Sequence, residues 1–180
     1  MSESNALEIY SETPKDRVQA IAAEIGKYFD DNGWTTVTRK ECANGAIAFY
    51  FNMSVKSVPL RIDVDIAESP MVVRFNVTLP TLCASEYALL VDEFITEFNY
   101  DQRYGALKHD INDGTLAYEY NVSVAHTFDI DDFDTYFNVC LYSAANAYWD
   151  VSRLCVGRLS KAKLAELTEK LTEMTQTLNE

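Results

Sequence analysis

The chain has 180 residues, a length that fits one domain and lets the folded form bury ~70 % of the surface that an unfolded chain exposes. Its composition, with 48 % hydrophobic and 24 % charged residues, is typical of a globular protein and excludes general disorder. The 28 acidic and 15 basic side chains give a net charge of -13, which argues against nucleic acid and anionic membranes as partners because their phosphates would be repelled.

The sequence also indicates where the protein works. No stretch approaches the ~20 apolar residues that cross a bilayer, and residues 1–5 lack the basic region and apolar stretch of a secretory signal. The expected location is therefore the cytoplasm, with no membrane partner.

One helix is predicted near the N-terminus, after a polar and acidic arm at 1–12 that we expect to be flexible. Thr13 can cap this helix, Pro14 suits its first position, and Gly33 provides a stop. The apolar residues between them keep helical spacing, which predicts a helix over 14–31. These residues are Val18, Ile21, Ala22, Ile25, Tyr28 and Phe29.

Strand-like runs follow, in which the spacing of apolar residues changes from about 3.6 to 2. In one of them, Asp63 and Asp65 alternate with apolar residues, as expected for a sheet with one face in water. Pro80 is expected to end this block of strands. The four predicted strands are 34–40, 46–53, 58–66 and 71–79.

A second helix and a hairpin are predicted next. Ser85 is the expected N-cap of the helix, whose broad apolar stripe ends at Phe98. Two further strands, 104–110 and 115–124, are separated by an Asp-Gly pair ending at Gly114. Because glycine adopts positive φ at no steric cost, this pair predicts a tight turn.

The last part of the chain predicts two helices. Asp129 and its acidic neighbours suit the start of a helix over 131–156, and Gly157 is expected to interrupt it. A C-terminal helix over 158–180 then carries one narrow apolar seam. This seam is short for an independent coiled coil, so it packs on its own domain, on a dimer partner or on a client. The seam residues are Leu164, Leu167, Leu171, Met174 and Leu178.

The order of these elements predicts an α+β fold in a single domain over 1–180. Consecutive strands on short connections favour antiparallel pairing, so we expect one antiparallel sheet with the helices packed mainly on one face. No linker or internal repeat marks a second domain.

Motifs in the middle of the chain carry a family resemblance. The motifs are Phe98-Asn99, Gly105-Ala106-Leu107-Lys108-His109-Asp110 and Asp113-Gly114-Thr115-Leu116-Ala117-Tyr118. Together with the predicted helix from Phe133 to Val156 and the closing Gly157, they resemble the YbjN family of bacterial proteins, described as sensory transduction regulators. The order of elements over 14–157 is also similar to that family.

The resemblance implies a fold more than an activity. It implies the α+β fold that this family shares with type III secretion chaperones, homodimer formation, and binding of a protein or peptide segment. It transfers no catalytic residue, so function inferred in this way is an analogy.

The remaining candidates for chemistry favour structural interpretations. The acidic run 129–134 lacks the calcium-loop pattern, because Phe133 occupies the place of a ligand and Asp134 the place of the required glycine. Helix capping explains this run better. Asp63 and Asp65 share one strand face, as glycosidase carboxylates can, but they also fit a face in water.

The cysteine, histidine and glycine patterns also favour structural interpretations. Cys140 and Cys155 fall within or near an apolar helix pattern, which favours burial over nucleophilic catalysis. His109 and His126 lack nearby cysteine ligands and are expected to be surface or hydrogen-bonded residues rather than zinc ligands. The glycines form no phosphate-binding motif. We therefore predict no catalytic residue, metal ligand or cofactor.

Aromatic residues are a second candidate for an interaction surface, after the seam in the C-terminal helix. Most of the nine Phe occur at core-periodic positions, and the core is the favoured place for most of the twenty Phe and Tyr residues. Several of the eleven Tyr nevertheless suit an amphipathic surface for peptide contact. These tyrosines are Tyr100, Tyr104, Tyr118, Tyr120, Tyr136 and Tyr142.

The sequence thus favours a non-enzymatic, cytoplasmic regulator or chaperone-like protein. We expect it to bind a protein or peptide client, favoured if basic, and to form a homodimer. Two alternatives stay open: a small hydrolase or metal-dependent enzyme with an unfamiliar site, and an acidic protein that blocks a basic partner electrostatically.

Overall fold

A computed structural model of the protein describes residues 7–8 and 13–157, and it contains three α-helices and eight strands within them. The helices are α1 (Pro14–Asp31), α2 (Ala88–Tyr100) and α3 (Ile130–Cys155). The strands are β1 (Leu7–Glu8), β2 (Thr38–Glu41), β3 (Ile47–Val55), β4 (Val58–Ala67), β5 (Val72–Leu82), β6 (Ala106–His109), β7 (Thr115–Ser123) and β8 (Thr127–Phe128).

Six of the strands form one antiparallel sheet in the order β2-β3-β4-β5-β7-β6. The short strands β1 and β8 form a separate antiparallel pair. The predicted α+β fold with an antiparallel sheet is therefore confirmed. None of the helices in the described part of the chain combines the length and apolar character needed to cross a bilayer.

The two faces of the sheet differ as the alternating pattern predicts. In β4, the residues Leu60, Ile62 and Val64 are at most 1 % exposed beneath the helices. Asp63 and Asp65 point to the opposite face, where each forms an ion pair with an arginine at 3.3 and 2.5 Å respectively. Their structural interpretation is supported, because opposite charges on a wet strand face pair with each other.

An aromatic core joins the helices to the sheet. The rings of Phe133 and Phe137 on α3 are stacked 5.7 Å apart, and Phe75 of β5 lies 5.3 Å from Phe133. Phe29 of α1 lies 5.3 Å from the ring of Phe51 on β3. Helix α3 therefore rests across the middle of the sheet, with α1 beside it.

Two strand boundaries differ from the predicted ones. The first strand was predicted over 34–40 but begins only at Thr38, because Trp34 turns into the core and stacks on Phe29 at 5.4 Å. Pro80 does not end a strand, since β5 continues through it. The pairing of β5 with β7 shifts register between Thr78 and Leu82, and proline is tolerated at such an irregularity.

The start of the second helix also differs. Ser85 was predicted to cap it, but residues Ser85–Tyr87 form a 3-10 turn and α2 begins at Ala88. The tighter turn explains the difference, because the Ala88 N–H donates to the carbonyl of Ser85 and makes no bond to its side chain.

Two predicted helix N-caps and the predicted hairpin turn are confirmed. Thr13 accepts a hydrogen bond from the Asp16 N–H at 3.3 Å, and Asp129 accepts one from the Asp131 N–H at 2.8 Å. Gly114 adopts φ +77 in the predicted turn.

Two predictions concern the ends of the chain, most of which lie outside the described residues. Of the arm at 1–12 only Leu7 and Glu8 are described, and their pairing with β8 was not predicted. The helix over 158–180, with Leu164, Leu167, Leu171, Met174 and Leu178, lies outside the described residues.

Candidate functional site

The sheet has one edge that is left open in the described part of the chain. Strand β5 pairs with β7 as far as Ser123, but β6 pairs only with residues 116–119 of β7. Residues 120–123 therefore have no strand on their outer side among the described residues. Unpaired backbone N–H and C=O groups at such an edge can accept an added strand.

The opposite edge of the sheet is different in character. Strand β2 there has every residue exposed, and Arg39, Lys40 and Glu41 follow one another along it. Charged side chains on an edge strand oppose the addition of another strand. Residues 120–123 carry no charge, so the open edge of β7 is the better place for a partner.

Gly105 explains why β6 stops short. Its φ is +71, and a Cβ there would lie 2.7 Å from both the Glu119 carbonyl oxygen and the Tyr118 ring. Only glycine permits that close approach, and β6 begins at the next residue, Ala106. The ring of the preceding residue, Tyr104, contacts the ring of Tyr120, but residue 104 is not part of a strand paired with β7.

Three tyrosines from separate elements meet above this edge. Ring centroids of Tyr104 and Tyr120 are 5.8 Å apart, those of Tyr104 and Tyr136 are 5.7 Å apart, and those of Tyr120 and Tyr136 are 5.4 Å apart. Burial raises the pKa of Tyr120, and the neighbouring Tyr136 and Tyr104 raise it further. The tyrosine cluster, residues 104, 120 and 136, therefore offers aromatic surface beside the open edge of β7.

A cavity of about 160 Å³ adjoins the tyrosine cluster at Tyr136. Strand β5, the end of β7, β8 and the first turns of α3 form its walls. This size is close to the ~150 Å³ of an apolar cavity that admits benzene, so one side chain fits but a folded segment does not. The apolar lining of this aromatic cavity includes Val73, Phe75, Val122, Phe128, Phe133 and Tyr136.

The charged part of the cavity lining is entirely acidic. Asp129, the N-cap of α3, and Asp132, in its first turn, lie at the wall of the cavity, and none of the described residues that line it is basic. Arg17 of α1 reaches the adjoining loop, where it donates to the Ala125 carbonyl at 3.1 Å. The cavity is therefore lined by aromatic and aliphatic side chains together with the polar Ser123 and Thr127, and it is negatively charged at one side.

The tyrosines predicted for an interaction surface have different environments. Tyr100, Tyr104 and Tyr142 are exposed, and Tyr120 and Tyr136 are half-buried in the site described above. Tyr118 was predicted wrongly, because it is fully buried on the helix-covered face of β7. Its hydroxyl donates to the Tyr104 carbonyl.

The predicted burial of Cys140 and Cys155 is confirmed, and each histidine has one of the two predicted environments. Cys140 and Cys155 are both fully buried, and burial is the main cause that raises each thiol pKa to about 12. The His109 side chain is 3 % exposed and its Nδ1 lies 2.8 Å from an oxygen of Asp92, whereas His126 is exposed. Among the described residues, no group of three His, Cys, Asp or Glu side chains is placed to hold a metal ion.

The chain matches no family model, no curated protein and no solved structure in the comparisons made.

Proposed function

We propose that the protein is a non-enzymatic regulator or chaperone-like protein that binds an extended protein segment along residues 120–123 of β7. The observation that carries the proposal is the open, uncharged end of β7, which lies directly beside the tyrosine cluster and the aromatic cavity. A strand added there would receive backbone hydrogen bonds from β7, and the aromatic surface would contact its side chains.

The charge of the chain supports a client of opposite sign. With a net charge of -13, the protein attracts basic segments over long range and repels acidic ones. The proposed setting is the bacterial cytoplasm, in line with the resemblance to the YbjN family and to the fold of type III secretion chaperones.

A homodimer is part of the same proposal. Helix α2 carries two apolar side chains that face solvent, Leu89 with 87 % and Tyr100 with 90 % exposure. They are eleven residues apart, close to three helical turns, and so lie on one side of α2. The seam at 164–178 offers a second apolar surface in the sequence.

Selection of peptides tests the binding site. A displayed library of random heptapeptides is selected on the full chain, and the best peptide is then N-methylated at one backbone amide at a time. In a strand, alternate amides point to opposite sides, so methylation should weaken binding at every second position. Loss of one backbone hydrogen bond should weaken it about tenfold.

Two results would contradict the proposal. One is a library from which no peptide is enriched. The other is a set of methylated peptides in which the loss of affinity does not alternate, because that pattern excludes a strand paired with β7. A peptide methylated at an amide that faces solvent is the matched control for the peptide methylated at the adjacent amide, which faces β7.

A further inference from the structure

We infer that the aromatic cavity is a specificity pocket for one basic side chain, lysine or arginine, of the segment bound along β7. This inference rests on the proposed function and adds to it the chemical identity of the anchoring residue.

Strand geometry brings one side chain of a bound segment to the cavity. Side chains of a strand paired with residues 120–123 alternate between the two faces of the sheet. Tyr120 and Val122 mark the face that the helices cover, and Val122 also lines the cavity. A partner side chain next to Val122 on that face therefore enters the cavity, while its neighbours in sequence point away.

The cavity suits a side chain with an apolar stem and a charged end. The rings of Phe128 and Phe133, 6.2 Å apart, offer apolar and aromatic contact to an alkyl stem. A cation close to aromatic faces is attracted by their quadrupoles. Asp129 and Asp132 stand at the wall to accept hydrogen bonds from an ammonium or guanidinium group.

Other side chains fit this lining less well. An uncharged apolar anchor would cover Asp129 and Asp132 with hydrocarbon and remove their water without replacing the lost hydrogen bonds. An acidic anchor would be repelled by the same two carboxylates. A basic residue can contact the aromatic side chains of the lining with its stem and the two carboxylates with its charged end.

The test compares three versions of the best selected peptide. The residue at the anchoring position is lysine, norleucine, which has a similar stem without charge, or glutamate. Dissociation constants are measured by fluorescence anisotropy on the full chain at two salt concentrations. The lysine peptide should bind about tenfold tighter than the norleucine peptide, and the glutamate peptide should bind most weakly.

A double variant assigns this preference to the cavity. Asp129→Asn with Asp132→Asn removes both charges but keeps side chains of the same shape, and asparagine also caps a helix well, so the fold is retained. The matched control is Asp30→Asn with Asp31→Asn, which makes the same change of net charge at the exposed end of α1. The preference for lysine should disappear in the first variant and persist in the second.

The outcomes separate this inference from the proposed function. If peptides bind with the alternating methylation pattern but norleucine equals lysine, or the Asp129 and Asp132 variant keeps the preference, the pocket inference is overturned and strand binding stands. If both double variants lose the preference equally, the charge of the whole chain is responsible and the pocket is again overturned. If no peptide is enriched, the proposed function itself fails.

Discussion

Burial determines the acid-base behaviour of the Cys140 thiol. This side chain is 0 % exposed in α3, and its burial raises the thiol pKa to about 12. Desolvation disfavours the thiolate, so the folded protein holds the proton at pH values where an unfolded cysteine has lost it. The thiol is therefore a structural group with little nucleophilic character.

Stability at high pH should report this burial. Because the folded pKa is raised above the unfolded value near 8.5, the contribution of this group is fully present below that value and is lost as pH rises toward about 12. We expect the free energy of unfolding to fall above pH 9, by up to ~1.4 kcal/mol per pH unit from one thiol. Urea unfolding at pH 8 and pH 10 measures the fall.

A pair of variants isolates the contribution of Cys140. Cys140→Ala should reduce the difference in stability between pH 8 and pH 10, whereas Cys42→Ala, at a partly exposed position, should leave it as in the wild type. An unchanged pH dependence in Cys140→Ala would show that the buried thiol is not the cause.

At the scale of elements, Asn99 links α2 to the hairpin strand β6. Its side-chain amide donates to the Leu107 carbonyl at 2.9 Å, and its oxygen accepts from the Leu107 N–H at 2.8 Å. This pair of hydrogen bonds holds the end of α2 against the sheet, next to the loop that carries Tyr104. The Asn99 quoted in the family resemblance thus has a structural role.

Loss of the donor at this position should destabilise the fold. In Asn99→Asp the carboxylate keeps the bond from the Leu107 N–H but faces the Leu107 carbonyl without a proton to donate, at a cost of ~1–3 kcal/mol. Gln102→Glu is the control, since it makes the same chemical change where only a bond to the nearby Phe98 carbonyl is lost. A larger loss in the control would contradict the assigned role of Asn99.

Regular periodicity explains which elements could be predicted. The bounds of α1, and the strands β3 and β4 to within two residues, followed from apolar spacing, because each element buries one face continuously. The errors at Trp34 and Pro80 arose where a long-range contact or a shift of register overrides the local pattern.

The candidate site was less accessible to sequence analysis. Tyr104, Tyr120 and Tyr136 were each selected as surface aromatics, but their meeting depends on how a loop, a strand and a helix pack together. Nothing local in the sequence marks residues 120–123 as an open edge, because the edge exists only where β6 ends beside β7. The nearest local signal is the glycine at position 105, which adopts the positive φ that this approach to β7 requires.

At the scale of the whole molecule, the seam at 164–178 bears on assembly. If the chain forms a homodimer through this seam, Leu167→Asp with Leu171→Asp should reduce the mass in solution from about twice to once the 20.4 kDa of one chain. Circular dichroism should stay unchanged, because the fold of each chain is kept. Light scattering at several concentrations measures the mass.

Neighbouring positions supply the control for this variant. Thr168→Asp with Thr172→Asp makes the same change of charge one residue away from the seam and should leave the mass unchanged. Global unfolding of the Leu167 and Leu171 variant would instead assign the seam to the core of its own domain.

The open edge on β7 is short, and this limits how far the sheet can be extended by added strands. Four residues of strand extend about 13 Å, enough to template one short segment but not a long register of stacked chains. The charged residues of β2 oppose growth at the far side of the sheet. A sheet extended from the four-residue edge of β7 would be held by few backbone hydrogen bonds at each step, so this edge is a poor template for a fibril.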